Sequence, residues 1–153
     1  MTTTALRPPV ASEPVLVTRL IEQFGATRLD DSTFEDGIAA PGLTALFFTE
    51  DPQRIRETLD LAVILPEIAQ AMPQRLRIGV LPPPLAVAKA PIYGVRRWPA
   101  LVFLRDGGWL GNIEGLLDWA DYVSTVQALL SAPVRPLPPK VIPVAAAGAA
   151  SCG

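Results

Sequence analysis

The sequence predicts a mixed α/β domain. Three observations carry this: short apolar runs bounded by turn residues, helical stretches between them, and one sharply marked hairpin. The apolar runs are LTALFFT at residues 43–49, RLRIGVL at 75–81 and ALVFLR at 100–105. Continuous apolar runs of this length, flanked by helical segments, are the pattern of strands buried on both faces.

The elements follow in order. Residues 15–24 read as an amphipathic helix ended by Gly25. A second helical turn follows Asp30 and Asp31, with Ser32 as its candidate N-cap. Strand 43–49 comes next, then a helix over 54–72 with Ile55, Leu59, Ala62 and Ala69 near a 3.6-residue spacing. Pro66 either kinks that helix or opens a second one. Strand 75–81 stops at Pro82, Pro83 and Pro84, and residues 85–90 form a helical turn ahead of Pro91.

The hairpin pairs 100–105 with 109–115 across Asp106, Gly107 and Gly108. A final helix spans 116–130, with Leu117, Tyr122, Val126 and Leu129 among its apolar positions. Asp118 and Asp121 suit the positive end of its dipole. A βαβ unit followed by ββα, in a mixed central sheet with helices on both faces, is a compact and permitted topology.

Composition bounds the rest. The chain has 153 residues, 50% hydrophobic and 18% charged, which fits one globular domain and not a disordered chain. That domain is expected over 15–131. Residues 1–14 are expected to be a flexible N-terminal segment, and residues 132–153 a flexible Pro/Ala-rich tail with no face to pack.

No apolar run approaches the ~18–20 residues that span a bilayer, so no membrane insertion is expected. A net charge of −2 gives no reason to expect nucleic acid. There is no histidine and one cysteine, Cys152. Imidazole or thiolate metal sites, histidine acid–base catalysis and an internal disulfide are thereby excluded, and no cofactor is expected. The N-terminus lacks the pattern of an export signal, so a cytoplasmic location is expected.

The stretch YGVRRWPALVF at residues 93–103 resembles the thioredoxin motif Y-G-[IV]-R-x-x-P-[TA]-L followed by an apolar strand. Asp106 and Gly107 match that family's hairpin turn, and Gly115 its glycine before the last helix. The resemblance covers residues 43–130. It implies a thioredoxin-like fold with Pro99 in the cis form, in a loop where such proteins pair with extended peptides.

The departures matter more. Thioredoxins place W-C-x-x-C just after the strand matching 43–49, where two thiols can form a disulfide and a helix N-terminus stabilises the thiolate. Here that place reads Thr49-Glu50-Asp51-Pro52-Gln53-Arg54, with no sulfur. The family's mid-strand buried aspartate corresponds to Leu46.

A narrower family fits these departures. The chain resembles the HyaE, HupG and HoxO hydrogenase expression/formation proteins, which are thioredoxin-like and lack the Cys-x-x-C motif. The shared features are the segment at 49–54, the G-V-x-R/W-x-P-A-L-V-F stretch at 94–103, and the hairpin leading into Leu117-Asp118-Trp119.

That resemblance implies a non-catalytic maturation chaperone for a membrane-bound [NiFe]-hydrogenase. Its client would be the iron–sulfur small-subunit precursor with its twin-arginine signal peptide. An accessory protein of the HyaF/HupH/HoxQ type would act with it.

Residues 30–131 hold 13 acidic and 8 basic side chains, so the domain is more acidic than the whole chain. Carboxylates bind guanidinium by charge-assisted, often bidentate hydrogen bonds. Two clusters are therefore candidates for holding an arginine pair: Asp30, Asp31, Glu35 and Asp36, and Glu50 with Asp51. Charged clusters are also ordinary solvated surface.

Trp98 beside Pro99 is the candidate apolar contact, with half-buried packing as its other reading. Trp109 and Trp119 are expected to pack in the core or hairpin. Arg96 and Arg97 are candidates to pair with Glu50 or Asp51. Two alternatives stand beside the chaperone: a monothiol redox protein acting through Cys152, and a docking module using its Pro-rich tail as PxxP ligands do.

Overall fold

The computed structural model describes residues 13–139. Its elements are α1 (Val15–Phe24), β1 (Thr27–Arg28), α2 (Phe34–Ala39), β2 (Leu43–Phe48), α3 (Glu57–Ala71), β3 (Leu76–Leu81), α4 (Pro83–Tyr93), β4 (Ala100–Arg105), β5 (Gly108–Glu114) and α5 (Trp119–Leu130). Cys152, along with residues 1–12 and 140–153, lies outside the described residues.

The five strands form one sheet in the order β1-β3-β2-β4-β5. β1, β3 and β2 run parallel, and β4 and β5 antiparallel to their neighbours. This is the expected thioredoxin-like arrangement. Period-two alternation splits the apolar strands between two cores. Ala45, Phe47, Ile78, Val80, Leu101 and Phe103 face α1, α3 and α5, where they meet Leu20, Leu65 and Tyr122. Leu46, Phe48, Leu81, Val102 and Leu104 face α2 and α4, where they meet Phe34, Leu85 and Tyr93. Both faces of β2 and β4 are thus covered, which is why those strands read as unbroken apolar runs.

Several boundaries differ from expectation, each for a local reason. The two-residue β1 is too short to leave an apolar signal, and both its residues are exposed. Ser32 is not a cap. Thr33 takes the N-cap position of α2, while the Asp30 carboxylate accepts from the backbone N–H groups of Ser32 and Thr33 at 2.8 and 3.0 Å. The Ser32 hydroxyl, which donates to the same oxygen at 2.6 Å, and then these backbone bonds hold the Asp30 pKa below its usual value.

α3 starts at Glu57 rather than Arg54, because residues 51–55 turn on the Asp51 carbonyl, which accepts from Arg54 and Ile55 at 2.8 and 2.9 Å. Pro66 sits buried inside α3 and does not divide it. α4 likewise runs through Pro91 to Tyr93 and is capped by Gly94 at φ +69°. In the hairpin the turn is two residues, Asp106 and Gly107, both with positive φ as a type I′ turn requires.

Residues 132–139, expected to have no packing face, lie along the outer edge of β5. Arg135 N–H donates to the Trp109 carbonyl at 2.7 Å, and the Arg135 guanidinium stacks 4.7 Å from the Trp109 ring centroid. Proline suits such a place, since an outer-edge segment can leave some of its N–H positions empty.

Candidate functional site

The C-terminal ends of β1, β3 and β2 and the N-terminal end of β4 lie together at one end of the sheet. Two loops meet there. One is residues 49–56, between β2 and α3; the other is residues 94–99, between α4 and β4.

The first loop is anchored by Thr49, which is 3% exposed and donates through both N–H and Oγ1 to the Leu81 carbonyl, at 3.1 and 2.7 Å. Beyond it the acids organise their own backbone. A Glu50 carboxylate oxygen accepts from Asp51 N–H at 2.7 Å, and one of Asp51 accepts from Gln53 N–H at 2.9 Å. Each carboxylate keeps a second oxygen, and a carboxylate offers about four lone-pair sites. Exposed Arg54 and Arg56 follow in the same loop.

The second loop carries the expected cis peptide between Trp98 and Pro99. Pro99 is buried and Trp98 half-buried. The Trp98 indole N–H donates to the Thr49 carbonyl at 3.1 Å, tying the two loops together. The Pro99 carbonyl accepts from Gly115 N–H at 2.8 Å, which brings the chain after β5 alongside.

Trp98 and Pro99 are thus joined to the loop that bears Glu50 and Asp51. The other acids are placed differently. Asp30 and Asp31 follow β1 at the same sheet end, but β3 intervenes, so they stand about two strand spacings, roughly 10 Å, from β2. Glu35 and Asp36 ride on α2, with Asp36 at the mouth of a separate cavity.

Arg96 and Arg97 do not pair with Glu50 or Asp51. The ion pair within 4 Å among the described residues joins Arg28 to Glu13. The backbones of Arg96 and Arg97 are held instead by Glu114, whose carboxylate oxygen accepts from their N–H groups at 2.9 and 2.8 Å. Their side chains are exposed. Glu114 was not singled out from sequence; its role depends on the β4–β5 register, which sets it opposite Ala100.

Trp109 is buried as expected, at 8% exposure, but Trp119 is not: it is 49% exposed at the start of α5. Leu116, 38% exposed, precedes it just after Gly115. Apolar surface therefore continues beside the Pro99 loop. The Leu46 position is 1% exposed and filled by hydrocarbon, so it supplies no proton acceptor. Because α3 begins at Glu57, the helix terminus also sits beyond residues 52–55. This end of the sheet therefore presents carboxylates, backbone and apolar surface, and among its described residues no sulfur.

The chain is similar in sequence to hydrogenase expression/formation proteins. The family described as Hydrogenase-1 expression protein HyaE matches residues 16–122. The hydrogenase expression/formation protein HoxO of Cupriavidus necator is 37% identical over 95% of this chain and 92% of its own. HupG of Rhodobacter capsulatus is 34% identical over 82% of this chain and 91% of its own. A crystal structure of a HupG protein from Rhodopseudomonas palustris is 33% identical, covering 69% of this chain and 95% of that one, with a TM-score of 0.48.

Proposed function

The chain belongs to the HyaE, HupG and HoxO family of hydrogenase expression/formation proteins, and we propose that it acts in hydrogenase maturation as a non-catalytic chaperone. Its client in this reading is the iron–sulfur small-subunit precursor of a membrane-bound [NiFe]-hydrogenase, held through its twin-arginine signal peptide. A HyaF/HupH/HoxQ-type protein acts alongside, and the encounter takes place in the cytoplasm before export. The relatives' names are those of accessory proteins, not of catalysts. No helix among the described residues is long and apolar enough to cross a membrane.

One observation carries the reading: the Trp98–Pro99 loop is fastened to a loop that has carboxylates where a thioredoxin has thiols. Peptide binding needs backbone access, apolar surface and a charged anchor; reaction chemistry needs sulfur. Glu50 and Asp51 provide the anchor, each with an oxygen beyond those that shape the loop. Trp98, Leu116 and Trp119 provide surface for the apolar segment that follows the two arginines. Exposed Arg54 and Arg56 in the loop of these acids, and Arg96 and Arg97 in the Trp98–Pro99 loop, oppose a cationic peptide, so in this reading the carboxylates must outweigh them. Asp30, Asp31, Glu35 and Asp36 form a second, outlying acidic zone.

The test is capture of the small-subunit precursor by the full chain, with and without its signal peptide. Binding that requires the signal and falls at least tenfold in the Glu50→Gln/Asp51→Asn double variant supports the reading. Equal capture of both forms removes the signal-peptide mechanism, and capture of neither removes the client.

A further inference from the structure

The solvent side of α4 has the composition of an interior surface. Pro84, Val87, Ala88 and Pro91 follow one another along it at helical spacing, and all four are exposed, Val87 at 58%. α4 holds one charged residue, Lys89, and its ammonium lies 4.7 Å from the Phe34 ring centroid, turned toward α2. The other side of the helix carries Leu85, Ala86, Ala90 and Tyr93 into the core. A surface helix ordinarily turns polar and charged residues to water, and one that is apolar all round is a covered helix.

An open groove of about 930 Å³ adjoins this stripe. Ala88, Pro91 and Ile92 line it from α4, Gly94 and Val95 from the loop that follows, and Pro138 and Pro139 from the segment along β5. The Pro138 ring sits close on Gly94, where an added Cβ would meet it at 3.3 Å. The segment on the β5 edge therefore delivers the chain to the C-terminal end of α4. Ala88 and Pro91 belong to both groove and stripe, so the two form one apolar surface.

The sequence that comes next matches the surface it reaches. Residues 140–150 read KVIPVAAAGAA, one charge followed by apolar and small residues only. Such a segment gains by covering hydrocarbon. Five extended residues span about 16 Å, which is also the length of the 11-residue α4. We propose that Val141, Ile142 and Val144 dock in this groove and cover the Val87–Pro91 side of α4 in the same chain. Tethering decides for the same chain: with Pro139 already at the groove, the segment has an effective concentration on the order of millimolar, which a second copy lacks at ordinary dilution. The docked segment buttresses Gly94 and Val95, where the loop to Trp98 and Pro99 begins. The proposal stands independently of the maturation reading.

The experiment records methyl NOEs in the methyl-labelled full chain. The expected result is contacts from Val141, Ile142 or Val144 to Val87, Ala88 or Ile92, undiminished by tenfold dilution. A sample mixed from differently labelled chains should show none of them. Val87→Asp and Ile142→Asp, each a charge placed on one side of the contact, should both abolish these NOEs while the methyl shifts of Leu46 and Leu104 stay unchanged. No NOE between the two sets of methyls in the full chain overturns the proposal. So do NOEs between differently labelled chains, which would make a second copy the occupant, and NOEs that survive both substitutions.

Discussion

The indole nitrogen of Trp98 donates to the backbone carbonyl of Thr49 at 3.1 Å, so one hydrogen bond joins the loop before β4 to the loop after β2. Thr49 is itself fixed to Leu81 by two bonds, so the indole reaches a rigid point. Trp98→Phe keeps most of the ring surface but removes the donor. It should cost about 0.5–1.5 kcal/mol, the usual net worth of such a bond. Amide hydrogen exchange at Glu50, Asp51 and Gln53 should quicken while the β2 and β3 amides stay protected. Unchanged exchange in that loop would show that the indole does not hold it.

Glu114 governs the other side of the site. One of its oxygens accepts from both Arg96 and Arg97 N–H, so a single carboxylate shapes the approach to Pro99. Glu114→Ala leaves two donors to water. It should destabilise the protein by about 1.5 kcal/mol, the lower end for a bond to a charged group, because the freed donors can reach water. Glu114→Gln retains a carbonyl acceptor and should recover most of that loss in urea melts. Equal losses in the two variants would mean that the stem of the side chain, not its oxygen, sets the loop.

The frame of this molecule was legible because β2, β3 and β4 are buried on both faces, which leaves no ambiguity in residues such as Ala45, Leu46, Phe47 and Phe48. The Trp98–Pro99 loop was legible through the motif around it. Glu114 was not, and the reason is a β-bulge. A straight count from the Asp106–Gly107 turn pairs Ala100 with Ile113, but the register slips between Phe103 and Leu104 and places Glu114 there instead. Bulges are set by packing on both sides of a strand and leave little mark on a hydrophobic pattern. Trp119 misled as well: a tryptophan is expected inside, but it is the first residue of α5, one turn before the buried Tyr122, and is half exposed. The Arg135 contact was hidden because a proline-rich run carries no periodicity, whatever its neighbours offer.

That contact gives a third expectation. Gly108 and Gly111 of β5 leave room for it: a Cβ on Gly108 would meet Val134 at 2.6 Å. Arg135→Ala keeps the backbone bond to Trp109 but loses the stacked guanidinium. The cost should be about 0.5–1 kcal/mol, typical of an exposed cation–π pair. Trp109 should become more accessible to acrylamide quenching, read in a background with Trp98 and Trp119 replaced by phenylalanine. Quenching that does not change would remove the stacking from the account.

The two tyrosines, Tyr93 and Tyr122, give a prediction on the alkaline side. Burial pushes the Tyr93 hydroxyl up to about 12, with the negative charge of Glu35 adding to the shift. Burial also raises Tyr122. An unfolded tyrosine loses its proton near pH 10, so above that pH the unfolded chain gains ionisation free energy that the folded chain does not. The stabilisation is therefore fully present below pH 10 and drains away as pH rises toward the folded value. Each tyrosine contributes a slope of at most about 1.4 kcal/mol per pH unit. Urea midpoints should be level in their tyrosine contribution below pH 9 and fall above pH 10, with a shallower fall in Tyr93→Phe. Tyrosinate absorbance should appear together with loss of tertiary structure. Its appearance at pH 10 in a protein that is still folded would show that neither ring is sealed as the two cores imply.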